Sequence, residues 1–125
     1  MRRVVTAVLD GEGAGPAAVS VTFVRGPGMR LLNQRAFGRN ATTDVIAFPL
    51  PHDNCVTGDI YVCPDVARVS ARELGVPERE ELVRLVVHGT LHILGYNHPE
   101  SAQRIRSGMW KRQERYVRQL ARKRA

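Results

Sequence analysis

Residues 82–98, LVRLVVHGTLHILGYNH, leave few options for how this chain folds. Leu82, Val83, Leu85, Val86, Val87, Leu91, Ile93 and Leu94 occupy nearly every side of a helix wound through them. A helix that is apolar all round is a buried one. His88 and His92 stand four residues apart in it, so they share one face, about 6 Å apart along the axis. Two imidazoles in such a helix need partners, because an unpaired buried polar group is costly. Gly95 supplies a residue that takes the left-handed conformation ending a helix, and the reversal brings His98 back toward the pair.

His88, His92 and His98 then form a three-ligand base for a metal, with a fourth position open to water. That is the pattern of a catalytic zinc site rather than a closed structural one. The spacing matches the elongated zincin signature, except that Gly89 holds the place of the glutamate general base. The alternative is three satisfied core or surface histidines. It has to explain why three of the chain's four histidines fall within eleven residues.

The segment HGTLHILGYNH resembles the H-G-x-L-H-x-x-G-Y-D-H signature of the bacterial YbeY proteins, with Asn97 where the family usually has Asp. Upstream, Leu32-Asn33, the run TDVIAFP at residues 43–49 and Gly58-Asp59-Ile60 resemble that family's L-N, T-D-V-L-S-F-P and G-D-I segments, in family order. The resemblance covers roughly residues 31–98. It implies a metal-dependent single-strand endoribonuclease acting in 16S rRNA 3′-end maturation and ribosome quality control. It implies single-stranded rRNA and the small ribosomal subunit as partners. Many members carry an Arg four residues beyond the L-N pair, and here that place is Phe37.

At 125 residues the chain is expected to be one domain, 1–125, with room for a genuine core. No run of about 18 apolar residues occurs, so no membrane span is expected, and no signal-peptide core opens the sequence. Cys55 and Cys63 make no disulfide framework. A cytoplasmic protein is the expectation. The net charge of +7 is uneven: residues 1–100 hold 10 Lys and Arg against 11 Asp and Glu, and residues 101–125 hold 9 against Glu114 alone. A basic C-terminal helix over residues 100–125 favours a polyanion such as RNA. A solvated helix face is the competing reading.

Read in order, residues 3–9 (RVVTAVL) are rich in β-branched side chains and predict a first strand. Val19, Val21 and Phe23 alternate with more polar neighbours and predict a second. A short helix over residues 29–37 is expected to turn Leu31, Leu32 and Ala36 inward. Strands at 45–48 and 59–62 are expected to pair antiparallel. Pro64 suits the first position of a helix ending before Gly75, and Pro77 is expected to repeat the device for the central helix. Pro99 opens the last helix, with Ile105, Met109, Tyr116 and Leu120 on one stripe. YbeY-like proteins usually have a helix between the first two strands, and here it is expected to be missing. The fold class is α+β: a small mixed four-stranded sheet packed with helices, its central buried helix carrying a three-His metal site.

The expected cofactor is one Zn²⁺ per chain, although three imidazoles also suit Ni²⁺ or another divalent transition metal. A bound zinc lowers the pKa of its water to about 7 and polarises a phosphoryl oxygen. Gly89 cannot shuttle a proton to an amine, which argues against a peptidase. Asp44 and Asp59, beside predicted strands, are candidate catalytic or ligand-orienting carboxylates, with turn and strand-start roles as the competing reading. Arg35, Arg39, Arg112 and Arg115 are candidate RNA contacts. Two further functions stay open: a non-catalytic rRNA-binding ribosome-assembly factor with a structural metal, and a metallohydrolase of a non-RNA substrate.

Overall fold

A computed structural model of the protein describes residues 1–50, 54–96 and 108–122. The elements run α1 (Arg2–Gly11), β1 (Ala17–Phe23), α2 (Gly26–Phe37), β2 (Val45–Leu50), β3 (Val56–Val62), α3 (Pro64–Leu74), α4 (Glu78–Ile93) and α5 (Gly108–Leu120). The described sheet has three strands in the order β1-β3-β2, not four. β1 lies parallel to β3, with Val21 opposite Ile60. β2 lies antiparallel to β3, with Ala47 opposite Ile60. The expected antiparallel pair is present. The expected first strand is not.

That segment is α1. Val4, Val5 and Val8 are its buried residues, a helical spacing that packs against α4, while Arg2, Arg3 and Thr6 stay exposed. The β preference of valine is a bias toward half-buried pleated surfaces, and here a groove against a buried helix serves those side chains equally well. A helix therefore precedes β1 in the place of the expected first strand, and no helix lies between residues 11 and 17.

In α2 the buried residues are Met29 and Asn33, and Leu32 packs half-buried beside Met29 as expected. Leu31 is 46% exposed and Ala36 is exposed, contrary to expectation. Pro64 does open α3, and Gly75 ends it with φ 69°. Pro77 caps α4 from outside the helix rather than opening it.

α4 is the hub. It packs on β2, β3, α1, α3 and α5, and Val83, Val86, Val87 and Leu91 in it are fully buried. Gly58, Ile60 and Val62 alternate along β3 as its buried face. A Cβ built on Gly89 would lie 2.8 Å from Ile60 Cγ2, and one built on Gly58 would meet Ile93. Helix and sheet therefore approach more closely than side chains at these two positions permit. Glu78, Glu80 and Glu81 fill the first turn of α4, where negative charge suits the helix dipole. No described helix is long and apolar enough to cross a membrane.

Candidate functional site

The periodicity of α4 that buries Gly89 against β3 turns His88 and His92 the other way. Their ring centroids are 4.6 Å apart, with the planes at 69°. Both are half-buried. His88 forms part of the wall of two neighbouring cavities. One, about 550 Å³, is also lined by His92, Asn33, Phe37, Arg39 and the start of β2. The other, about 380 Å³, is lined by Asp44, Glu81, Arg84, Trp110 and Gln113.

A chain of polar contacts fixes His88. Its Nδ1 lies 2.8 Å from Gln113 Oε1, and Gln113 Nε2 donates to Glu114 Oε2 at 3.1 Å. The reversed amide would set the Gln113 oxygen against the Glu114 carboxylate, so the carbonyl faces His88. His88 therefore donates through Nδ1–H, and its neutral form presents the Nε2 lone pair. Arg84 anchors the far end, donating to Glu114 at 2.9 and 3.1 Å, to Glu81 at 2.6 Å and to Glu80 at 3.2 Å. Burial pushes the Glu81 carboxyl up, and its bond with Arg84 only partly offsets this. The three carboxylates outweigh the burial of Arg84 and raise its pKa further, so it is permanently cationic.

A lone pair on the outward nitrogen and a donated bond from the inward one is how a metal-ligating histidine is oriented. The donor set fits a metal of the zinc type on that count. Among the described residues no group of three His, Cys, Asp or Glu converges as a metal site. His98, the third expected ligand, lies outside the described residues, as do Asn97, Pro99, Ile105 and His52.

The expected carboxylates separate. Asp44 stands at the mouth of β2 in the cavity wall shared with His88. Asp59 accepts a 2.6 Å bond from Ser20 on the sheet face opposite Ile60, away from α4, so the structure does not bring it to the histidines. The expected RNA contacts separate as well. Arg39 lines the histidine cleft, and Arg35 is exposed in the last turn of α2. Arg112 bonds Glu12 at 3.1 Å and lies over the Tyr96 ring. Arg115 lies over the Tyr116 ring. Thr90 is fully buried and donates to the Val86 carbonyl, a packing role. Tyr116 is core, and Cys55 and Cys63 are both free thiols.

Two side chains that shape the cleft escape a reading of the sequence. Gln113 sits 25 residues from His88 on another helix, and nothing in its neighbourhood marks it. Asn33, visible as half of the L-N pair, has a role that only the fold supplies: its Nδ2 donates to the Ala41 carbonyl at 2.9 Å and holds the loop that carries Arg39.

Fold and site together define an α+β protein with a histidine pair at the base of an open cleft. The family model described as Endoribonuclease YbeY matches residues 1–121. The chain belongs to the YbeY family. An Endoribonuclease YbeY of Thermotoga sp. (strain RQ2) is 38% identical over 106 residues, covering 85% of this chain and 69% of the relative. That of Chlorobium phaeobacteroides (strain BS1) is 32% identical over 120 residues, covering 96% and 86%. The solution structure of TM1509 from Thermotoga maritima is similar with a TM-score of 0.67 and 34% identity, over 93% of this chain and 75% of that one.

Proposed function

We propose that this chain is a metal-dependent endoribonuclease of single-stranded rRNA, acting in the cytoplasm on the 3′ end of the 16S precursor and in quality control of the small ribosomal subunit. The observation that carries the reading is the His88–His92 pair, turned into a cleft with His88 oriented by Gln113. The name that the family's members carry, Endoribonuclease YbeY, supplies the reaction class. His88, His92 and His98 would hold one Zn²⁺ or another divalent transition metal. When bound, such a metal supplies Lewis acidity toward a phosphoryl oxygen and a nucleophile at neutral pH. Gln113 and Glu114 hold His88 in the tautomer that can bind it. Arg39 offers a cation to the phosphate backbone on the cleft side. Asp44, in the neighbouring cavity, would handle a proton.

The test compares wild type with His88→Ala on a single-stranded RNA bearing the 3′ end of the small-subunit precursor, at matched metal and salt. Cleavage by wild type alone is expected. Equal cleavage by both would exclude this site. His92→Ala is expected to lose the bound metal, read as metal content per chain. Phe37 in the place where the resemblance expects Arg favours a second reading, an rRNA-binding assembly factor with a structural metal. It requires RNA binding without cleavage by the metal-loaded wild type.

A further inference from the structure

The two cavities that meet at His88 differ in charge. Among the described residues, the lining of the one shared with His92 includes Arg39 and no acidic residue. The lining of the other includes Asp44, Glu81 and Arg84, and Arg84 is already held by Glu80, Glu81 and Glu114. A phosphodiester therefore meets in the first a guanidinium with no carboxylate in the described lining, and in the second one whose charge is already taken up by carboxylates. The bias extends along the chain: residues 13–43, which hold α2 and both its flanks, carry four arginines and no Asp or Glu.

Phe37 stands in the wall of that cationic cleft, at the end of α2. It is 53% exposed, although it is a large apolar side chain. Its ring is stacked on Phe48 with centroids 5.9 Å apart and planes at 10°. Phe48 is in turn braced edge-on by Tyr61 at 5.9 Å. The backbone beyond it is held too. Gly38 turns with φ 70°, and the Arg39 N–H bonds the Asn33 carbonyl. An exposed aromatic on a fixed support beside a guanidinium suits one chemistry in particular. Every nucleobase has a π-face to stack on such a ring, and the adjoining phosphate needs a cation.

We propose that Phe37 is a stacking platform for a base of single-stranded RNA, with Arg39 on a flanking phosphate. This rests on the reading of the chain as an RNA-acting protein and adds the contact that seats the strand beside the histidines. The platform tolerates any base. It excludes duplex RNA, whose bases are already stacked on one another.

The test is equilibrium binding by fluorescence anisotropy. The full metal-loaded chain is titrated into a labelled single-stranded 2′-O-methyl oligoribonucleotide, checked to be intact afterwards. A second titration uses the same backbone with abasic sites. Phe37→Ala is expected to weaken binding of the base-bearing strand by roughly 5- to 100-fold, and to bind the abasic strand as wild type does. Phe37→Trp is expected to restore the lost affinity. Arg39→Ala is expected to weaken both strands and to lower the salt dependence by about one phosphate contact. Wild-type affinity of Phe37→Ala for the base-bearing strand overturns the stacking role, as does an equal loss on both strands. Failure of the wild type to bind either strand overturns the stacking role and the RNA reading together.

Discussion

Gln113 decides which nitrogen of His88 faces the cleft, and a neutral amide does so without competing for protons. Its oxygen is committed to His88 and its nitrogen to Glu114. Removing that acceptor frees the ring to adopt either tautomer and to turn. Gln113→Leu is therefore expected to lower zinc affinity by about 10- to 100-fold, measured by calorimetric titration. The ¹⁵N shifts of His88 in the metal-free variant should report mixed tautomers. Wild-type affinity with a single Nε2-unprotonated His88 would show that the glutamine is dispensable. The histidine pair is legible in the sequence because the helical period is local. Gln113 is not, because its meeting with His88 depends on how α5 docks on α4.

At the scale of elements, the contact between α4 and β3 sets how the histidine face is presented. Sequence alone makes Gly89 look like a vacated general base. The structure shows that this position points into Ile60, so a carboxylate there would be driven into the core. Gly89→Ala is expected to destabilise by about 1–3 kcal/mol through overpacking, reduced by about 1 kcal/mol of helix propensity, read from the urea midpoint. Adding Ile60→Ala should cost less than its effect alone predicts, since the two atoms that collide would both be absent. Strict additivity would show that the approach at Gly89 is not tight. The elements themselves were legible wherever punctuation is strong. Pro64 and Gly75 bracket α3, and the antiparallel β2–β3 pair follows from the strand segments at 45–48 and 59–62 and the turn sequence between them. The first segment was not, because RVVTAVL suits both a strand and a helix packed by Val4, Val5 and Val8, and only the neighbouring α4 decides between them. Leu31 and Ala36 misled for a related reason: α2 buries the Met29–Asn33 stripe instead.

Over the whole molecule, Glu12 joins parts far apart in sequence. Its carboxylate accepts 2.6 Å bonds from Tyr96 and Tyr116 and an ion pair from Arg112. It thereby ties the end of α1 to α5 and to the chain just after α4. Burial pushes the Glu12 carboxyl up, but the bonds from Tyr116, Tyr96 and Arg112 outweigh it and hold its pKa below the ordinary 4.5. Burial and the bond to Glu12 push Tyr116 up to about 12. A depressed carboxylate stabilises the fold above its unfolded pKa, and that stability is lost as pH falls through the folded value. A raised phenol stabilises below its unfolded value of 10.0, and that is lost as pH rises toward about 12. The thermal midpoint should therefore hold between about pH 5 and 10 on this account. Glu12→Gln should soften the acid shoulder and reduce the alkaline one, and parallel profiles for the two proteins would refute this. The same carboxylate also governs timing. Its partners lie 84, 100 and 104 residues downstream, so during synthesis it waits for α5 to emerge before the groups that satisfy it are present. An emerging chain cannot close this fold from its first half. The core around α4 is sealed only when α5 arrives, so the contacts that close this fold are among its longest-range ones and are expected to form late.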